Sequence, residues 1–173
     1  MKQAVTPRPI ENETWRKVIL GVSTGFGLGY APKAPGTFGS LLGIPLGLFF
    51  LRLDPSLVAI LCIILFFLFA AAAERACHHW GEMDAGRVVS DEVLGQAIAI
   101  AGMRSVFVQH PNERWMLIAL AFALFRLFDI TKPFPARYFD RQGTGFGIIA
   151  DDVVAGIYAA LVALGVARIW LHS

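Results

Sequence analysis

The sequence predicts an all-α protein, a small multi-span membrane bundle with short or interrupted transmembrane helices. Three observations carry that expectation. Apolar residue types make up 56% of the 173 residues even before 17 glycines are counted. Charged types are only 16%, against about 25% in an average soluble domain. Mean hydropathy is +0.61, and the apolar residues gather into runs long enough for helical crossings. This composition excludes a disordered chain, a disulfide scaffold and a typical soluble domain. The length allows one domain, placed at residues 21–173 behind an N-terminal cytoplasmic extension of residues 1–20.

Taken in order, Met1 to Lys17 holds no apolar run, so no cleaved signal peptide is expected. Thr37 to Leu51 is uncharged and carries Pro45 with Gly39, Gly43 and Gly47. That spacing sets three glycines on one helix face, where a second backbone can approach closely. Leu57 to Ala73 has no charge over 17 residues, about 25 Å of helix, and is the firmest span. Val93 to Met103 has only 11 residues, about 16 Å of helix. It is either a short span sheltered by the others or a re-entrant piece, and Gly95, Ala99 and Gly102 suit close packing. Trp115 to Phe128 is apolar apart from Arg126. Val153 to Ala167 follows Asp151-Asp152, which are expected at its head.

Five crossings sort the cations unevenly, ten Lys/Arg on the side of the N-terminus and four on the other, with Arg126 inside a span. Lys/Arg excess marks the cytoplasmic side. The N-terminus and the connections Glu74–Glu92 and Asp129–Gly147 are therefore expected inside. If Val93–Met103 did not cross, the second connection would move outside with three cations. A net charge of +2 with no basic stripe gives no footprint for nucleic acid. Cys62 and Cys77 form neither a disulfide framework nor a zinc pattern and are read as reduced.

On this topology the acids fall on one side: Asp91-Glu92, Asp129 and Asp151-Asp152. The helix macrodipole favours a carboxylate at an N-terminus, which accounts for Asp91 and Asp151. It disfavours Asp129 at a C-terminal end. Adjacent carboxylates repel unless a cation sits among them, and hard oxygen ligands at few positions suit Mg²⁺ together with a substrate phosphate. Lys132, three residues after Asp129, can share its face if the last turn persists. Arg137, Asp140 and Arg141 follow beside Tyr138 and Phe139, a segment suited to anionic lipid headgroups. Asp152, Gly156 and Ala160 stack at helical spacing, as do Asp151, Ala155 and Ala159, so a second helix can approach below each carboxylate.

Several phosphate chemistries are excluded. The glycine-rich stretches Gly25–Gly29 and Gly143–Gly147 lack the Gly-Lys-Ser/Thr of a P-loop. No arginine stands six residues after either cysteine, and no Asp-x-Asp or Pro-Ser-Gly-His occurs. Met83-Asp84-Ala85-Gly86-Arg87 is faintly similar to the CDP-alcohol phosphotransferase motif, without its downstream aspartates.

Taken together, Asp91-Glu92, Phe128-Asp129-x-x-Lys132-Pro133-x-Pro135 with Asp140-Arg141, and Gly145-x-Gly147-x-x-x-Asp151-Asp152-x-x-Ala155-Gly156 resemble the phosphatidylglycerophosphatase A family. Pro35-Gly36-Thr37 with Gly39-Ser40 matches its N-terminal glycine-rich segment, and Phe134 stands where tryptophan is expected. The resemblance runs from about Gly25 to Ala167. It implies an all-α bacterial inner-membrane enzyme that uses Mg²⁺ to remove the terminal phosphate of phosphatidylglycerophosphate, an anionic phospholipid, giving phosphatidylglycerol. It further implies Glu92, Asp129, Asp151 and Asp152 around Mg²⁺, supported by Asp91. One of these carboxylates is general base or nucleophile, Lys132 and more weakly Arg141 hold phosphate, and Thr37 and Ser40 donate to the headgroup. The competing reading is a transporter using the carboxylates as a cation relay. That reading places its sites near the midplane on broken helices, whereas these acids are expected at helix ends on one side.

Overall fold

The computed structural model describes residues 5–83 and 86–171. Asp84 and Ala85, within the motif-like Met83–Arg87 stretch, lie outside the described residues, as does Lys2 of the charge count. The described residues form an all-helical bundle without a β-sheet.

Helix α1 (Glu13–Ser23) starts at Asn12, whose side chain accepts the Trp15 amide at 3.0 Å, a standard N-cap bond. A 3₁₀ turn (Leu28–Tyr30) leads to α2 (Pro35–Phe50). Helix α3 (Pro55–Trp80) begins at Asp54, which accepts the Ser56 amide at 2.8 Å. That bond holds the Asp54 carboxyl below its ordinary range. The chain before α1 lies against the end of α3: Arg8 N–H donates to His78 O at 2.8 Å and Ile10 N–H to His79 Nδ1 at 3.1 Å.

Helix α4 (Ser90–Ala101) is short and, after Gly102-Met103, continues into α5 (Arg104–Gln109). Helix α6 (Arg114–Thr131), the five-residue α7 (Ala136–Asp140) and α8 (Gly145–Leu171) complete the chain. The guanidinium of Arg104 donates to Leu53 O at 2.6 Å and Phe50 O at 3.4 Å, tying the start of α5 to the end of α2. Leu48, Leu51, Phe107 and Trp115 line one cleft at that same end. The starts of α2, α4 and α8 meet the end of α6 at the opposite end, around a second cavity. The apolar helices therefore alternate in direction, as five successive crossings require.

Helices α3 and α8 are 26 and 27 residues long, about 39 and 40 Å. Only 17% of the most apolar window of α3 is buried inside the bundle. Leu57, Ile60, Ile63, Ile64, Phe67 and Leu68 point outward. The core helix of a soluble protein would have this face covered; here it suits lipid. The expected short segment is the sheltered alternative. Val93, Leu94, Gly95, Gln96, Ala97, Ala99 and Ile100 of α4 are all buried.

Close backbone approach makes that sheltering possible. A Cβ at Gly39 would lie 2.8 Å from Val89 Cβ, at Gly43 2.6 Å from Val93 O, and at Gly47 2.8 Å from Ile100 Cβ. The glycine face of α2 thus seats α4, as its spacing predicts. On the other side of α4, a Cβ at Gly95 would meet Asp152 O at 2.6 Å, one at Gly102 would meet Ala160 Cβ at 2.6 Å, and one at Gly156 would collide with Gly95 O. The α4–α8 crossing therefore sits about one turn below both Glu92 and Asp152.

One expectation is corrected. Asp151 and Asp152 do not stand at a helix head, because α8 begins at Gly145, not near Val153. Thr144 Oγ1 accepts the Gly147 amide at 3.1 Å, and Glu74 of α3 accepts the Gly145 amide. These caps start the helix early and carry the two aspartates nearly two turns inside it, buried.

Candidate active site

Asp91 and Glu92 sit in the first turn of α4, Asp129 in the last turn of α6, Lys132 at its C-cap, and Asp151-Asp152 within α8. All six line one cavity of about 330 Å³, with Gly36, Arg126 and Asp140. Residues far apart in sequence are brought together here by the alternation of the helices.

Asp91, Glu92 and Asp152 form a group whose ligand oxygens lie within 4.8 Å of one another. Asp91 Oδ1, Glu92 Oε2 and Asp152 Oδ2 are buried with no hydrogen-bond partner. Buried acceptors are nearly always paired, so this group of carboxylates with orphaned oxygens could hold a hard cation.

Two ion-pair clusters flank that group. Arg126 Nη1 lies 2.5 Å from Asp129 Oδ2 and 3.4 Å from Ser40 Oγ. Lys132 Nζ bridges Asp140 and Asp151, 2.5 Å from Asp151 Oδ2. The last turn of α6 does not persist through Lys132, which was the condition for its sharing a face with Asp129. Lys132 terminates α6 in the left-handed region, φ 44°, and its side chain is held by α7 and α8. A non-glycine residue there costs about 1 kcal/mol, offset by two carboxylates. Burial opposes its charge, but Asp151 and Asp140 more than offset this and hold the ammonium above its ordinary value.

The remaining sequence candidates are placed differently. Ser40 is buried, its hydroxyl donating to Gly36 O at 2.8 Å and accepting from Arg126. It supports the cavity wall. Thr37 and Arg141 do not line the cavity, and Arg141 is exposed. Sequence reasoning missed two cavity residues. Arg126 stands in the sequence as an interruption of a span, yet an arginine within an apolar helix, three residues before Asp129, is itself a functional signal. Asp140 shows in the sequence only as part of a motif.

Among the described residues the cavity is lined by six carboxylates and two cations, a formal charge of −4. A phosphate dianion cannot settle there unless that excess is neutralised. The donor set, the charge and the burial together fit a divalent cation held beside a phosphate.

Comparison with known proteins gives the same family as the sequence motifs. A family model described as phosphatidylglycerophosphatase A matches residues 21–167. A Haemophilus influenzae protein named phosphatidylglycerophosphatase A is 40% identical over 168 residues, covering 93% of this chain and 98% of the relative. An Escherichia coli protein of the same name is 31% identical over 150 residues, 86% of this chain and 83% of the relative. A Bacteroides thetaiotaomicron protein named "Putative phosphatidylinositol-3-phosphatase" is 40% identical over 157 residues, 87% and 92% of the two chains. No solved structure matches.

Proposed function

The chain belongs to the phosphatidylglycerophosphatase A family, and from that premise we propose that its carboxylate cavity is a Mg²⁺-dependent site for hydrolysing a lipid phosphomonoester. The protein is a phosphatidylglycerophosphatase of phospholipid synthesis, acting on a membrane lipid. The observation that supports the metal-dependent reading is the group of three carboxylates with buried, unpartnered oxygens in a cavity of formal charge −4.

Asp91, Glu92 and Asp152 would hold the ion. Magnesium bound there supplies positive charge against the phosphoryl oxygens. The other roles fall to the chain itself. Asp129 and Asp151 stand in the same cavity, each fixed by a cation, and one of them orients the attacking water and takes its proton. Lys132 adds positive charge for the phosphate. Water oxygen bonds to phosphorus, the phosphorus–oxygen ester bond breaks, and the departing lipid alkoxide is protonated to its hydroxyl. Inorganic phosphate and phosphatidylglycerol are the products.

The cation count supports a cytoplasmic active site, with the cavity end inside, and the likeness to bacterial relatives of this family supports a bacterial inner membrane. The Bacteroides relative's name supports a second headgroup as a comparison. Phosphatidylglycerophosphate and phosphatidylinositol 3-phosphate both carry a phosphomonoester on a diester-linked polyol. The test is phosphate release by the purified chain in mixed micelles containing each of these lipids, with phosphatidic acid as a third. The expected result is fastest release from phosphatidylglycerophosphate. Fastest release from phosphatidylinositol 3-phosphate would reassign the headgroup, and release from none would refute the phosphatase reading.

A further inference from the structure

We propose that Arg126 is a substrate-binding residue, its guanidinium taking oxygens of the phosphomonoester beside the Asp91–Glu92–Asp152 group. The proposal rests on the phosphomonoesterase reading of that cavity. Arg126 lies within an apolar helix, where an arginine is costly and calls for a purpose. Its side chain is 21% exposed and lines the cavity. The contacts that hold it, to Asp129 and to Ser40, both run through Nη1. A guanidinium carries five N–H donors in a rigid fork, so contacts through one nitrogen leave most of the fork for a ligand.

The start of α2 is shaped around this group. A Cβ at Gly36 would lie 3.1 Å from Arg126 Nη1 and 3.1 Å from Glu92 Cδ, and would collide with Glu92 Oε1. Gly36 therefore lets the guanidinium stand next to one of the three unpartnered carboxylates, where an anion held by a cation in that group would lie. The second cavity cation is less available. Lys132 is shared between two carboxylates, whereas Arg126 faces one. Arginine also matches two phosphate oxygens at once, which an ammonium does not.

The experiment is titration of the full chain, purified in detergent with Mg²⁺, with inorganic phosphate, followed by ³¹P NMR. Mg²⁺ affinity is measured in parallel by calorimetry. Arg126→Gln is expected to weaken phosphate binding by about 10-fold or more, the scale of a hydrogen bond to a charged group, with Mg²⁺ affinity retained. Arg126→Lys is expected to fall between wild type and Arg126→Gln. Phosphate binding by Arg126→Gln equal to wild type would overturn the proposal, leaving Arg126 as a support for Asp129. If Arg126→Gln does not fold, Arg126→Lys decides, because it keeps a cation for Asp129: weaker phosphate binding supports the proposal and wild-type binding overturns it. Wild-type protein that binds no phosphate would overturn the phosphomonoesterase reading and this proposal with it.

Discussion

Glu92→Gln removes one charge from the three-carboxylate group while keeping its shape. The ligand oxygens there lie within 4.8 Å of one another. Unit charges at that separation repel by about 3.5 kcal/mol per pair at an effective dielectric of about 20. Glu92 takes part in two of the three pairs, so the change relieves the ion-free protein of that repulsion to the extent that the three groups are ionised there. The same change removes a ligand from the ion-bound protein, so the two effects have opposite signs. Thermal unfolding of the detergent-solubilised chain reads both. In chelator, Glu92→Gln is expected to melt at or above the wild-type temperature. With Mg²⁺ at about 100 times its dissociation constant, the wild type gains about 2.7 kcal/mol and its melting temperature rises, while the variant barely responds. A variant that melts well below wild type in chelator, yet gains as much from Mg²⁺, would refute the reasoning and make Glu92 a packing residue.

Three further outcomes are expected. Asp129→Asn, Asp151→Asn and Asp152→Asn should each lower turnover by about 10²-fold or more, as removal of transition-state stabilisation does, while Glu113→Gln, outside the cavity, stays near wild type in the same phosphate-release assay. Gly156→Ala places a methyl against Gly95 O and should cost about 1–3 kcal/mol by overpacking, with a larger loss of activity than of melting temperature because the α4–α8 crossing sets Glu92 against Asp152. Single cysteines at Arg87 and Gln142, with Cys62 and Cys77 replaced, should be labelled in bacteria only after permeabilisation and one at Asn112 in intact cells; labelling of Gln142 from outside, with Arg87 protected, would break the five-crossing arrangement.

Most of the fold was legible because its signals are local. The uncharged run Leu57–Ala73 lies within α3, and the four-residue glycine spacing of Gly39, Gly43 and Gly47 does face a neighbouring backbone. The small residues below Asp152 likewise mark a true helix crossing at Gly95 and Gly156. The start of α8 was hidden because half its cap comes from Glu74, 71 residues away, which no local pattern reveals. The candidate site was legible as a set of acids but not as a set of partners. Sequence spacing lets Lys132 share a face with Asp129 only if the helix continues, whereas the left-handed turn at Lys132 directs it to Asp140 and Asp151. That turn leaves Asp129 to Arg126, which the apolar pattern treats only as a break in a span.

The most direct measurement is the initial rate of phosphate release from phosphatidylglycerophosphate by the purified chain, first in excess chelator and then with Mg²⁺ restored. The account predicts background release in chelator and recovery on adding Mg²⁺, because three clustered carboxylates with buried, unpartnered oxygens, in a cavity of formal charge −4, disfavour a phosphate dianion until a cation is held among them. An undiminished rate in chelator would contradict it.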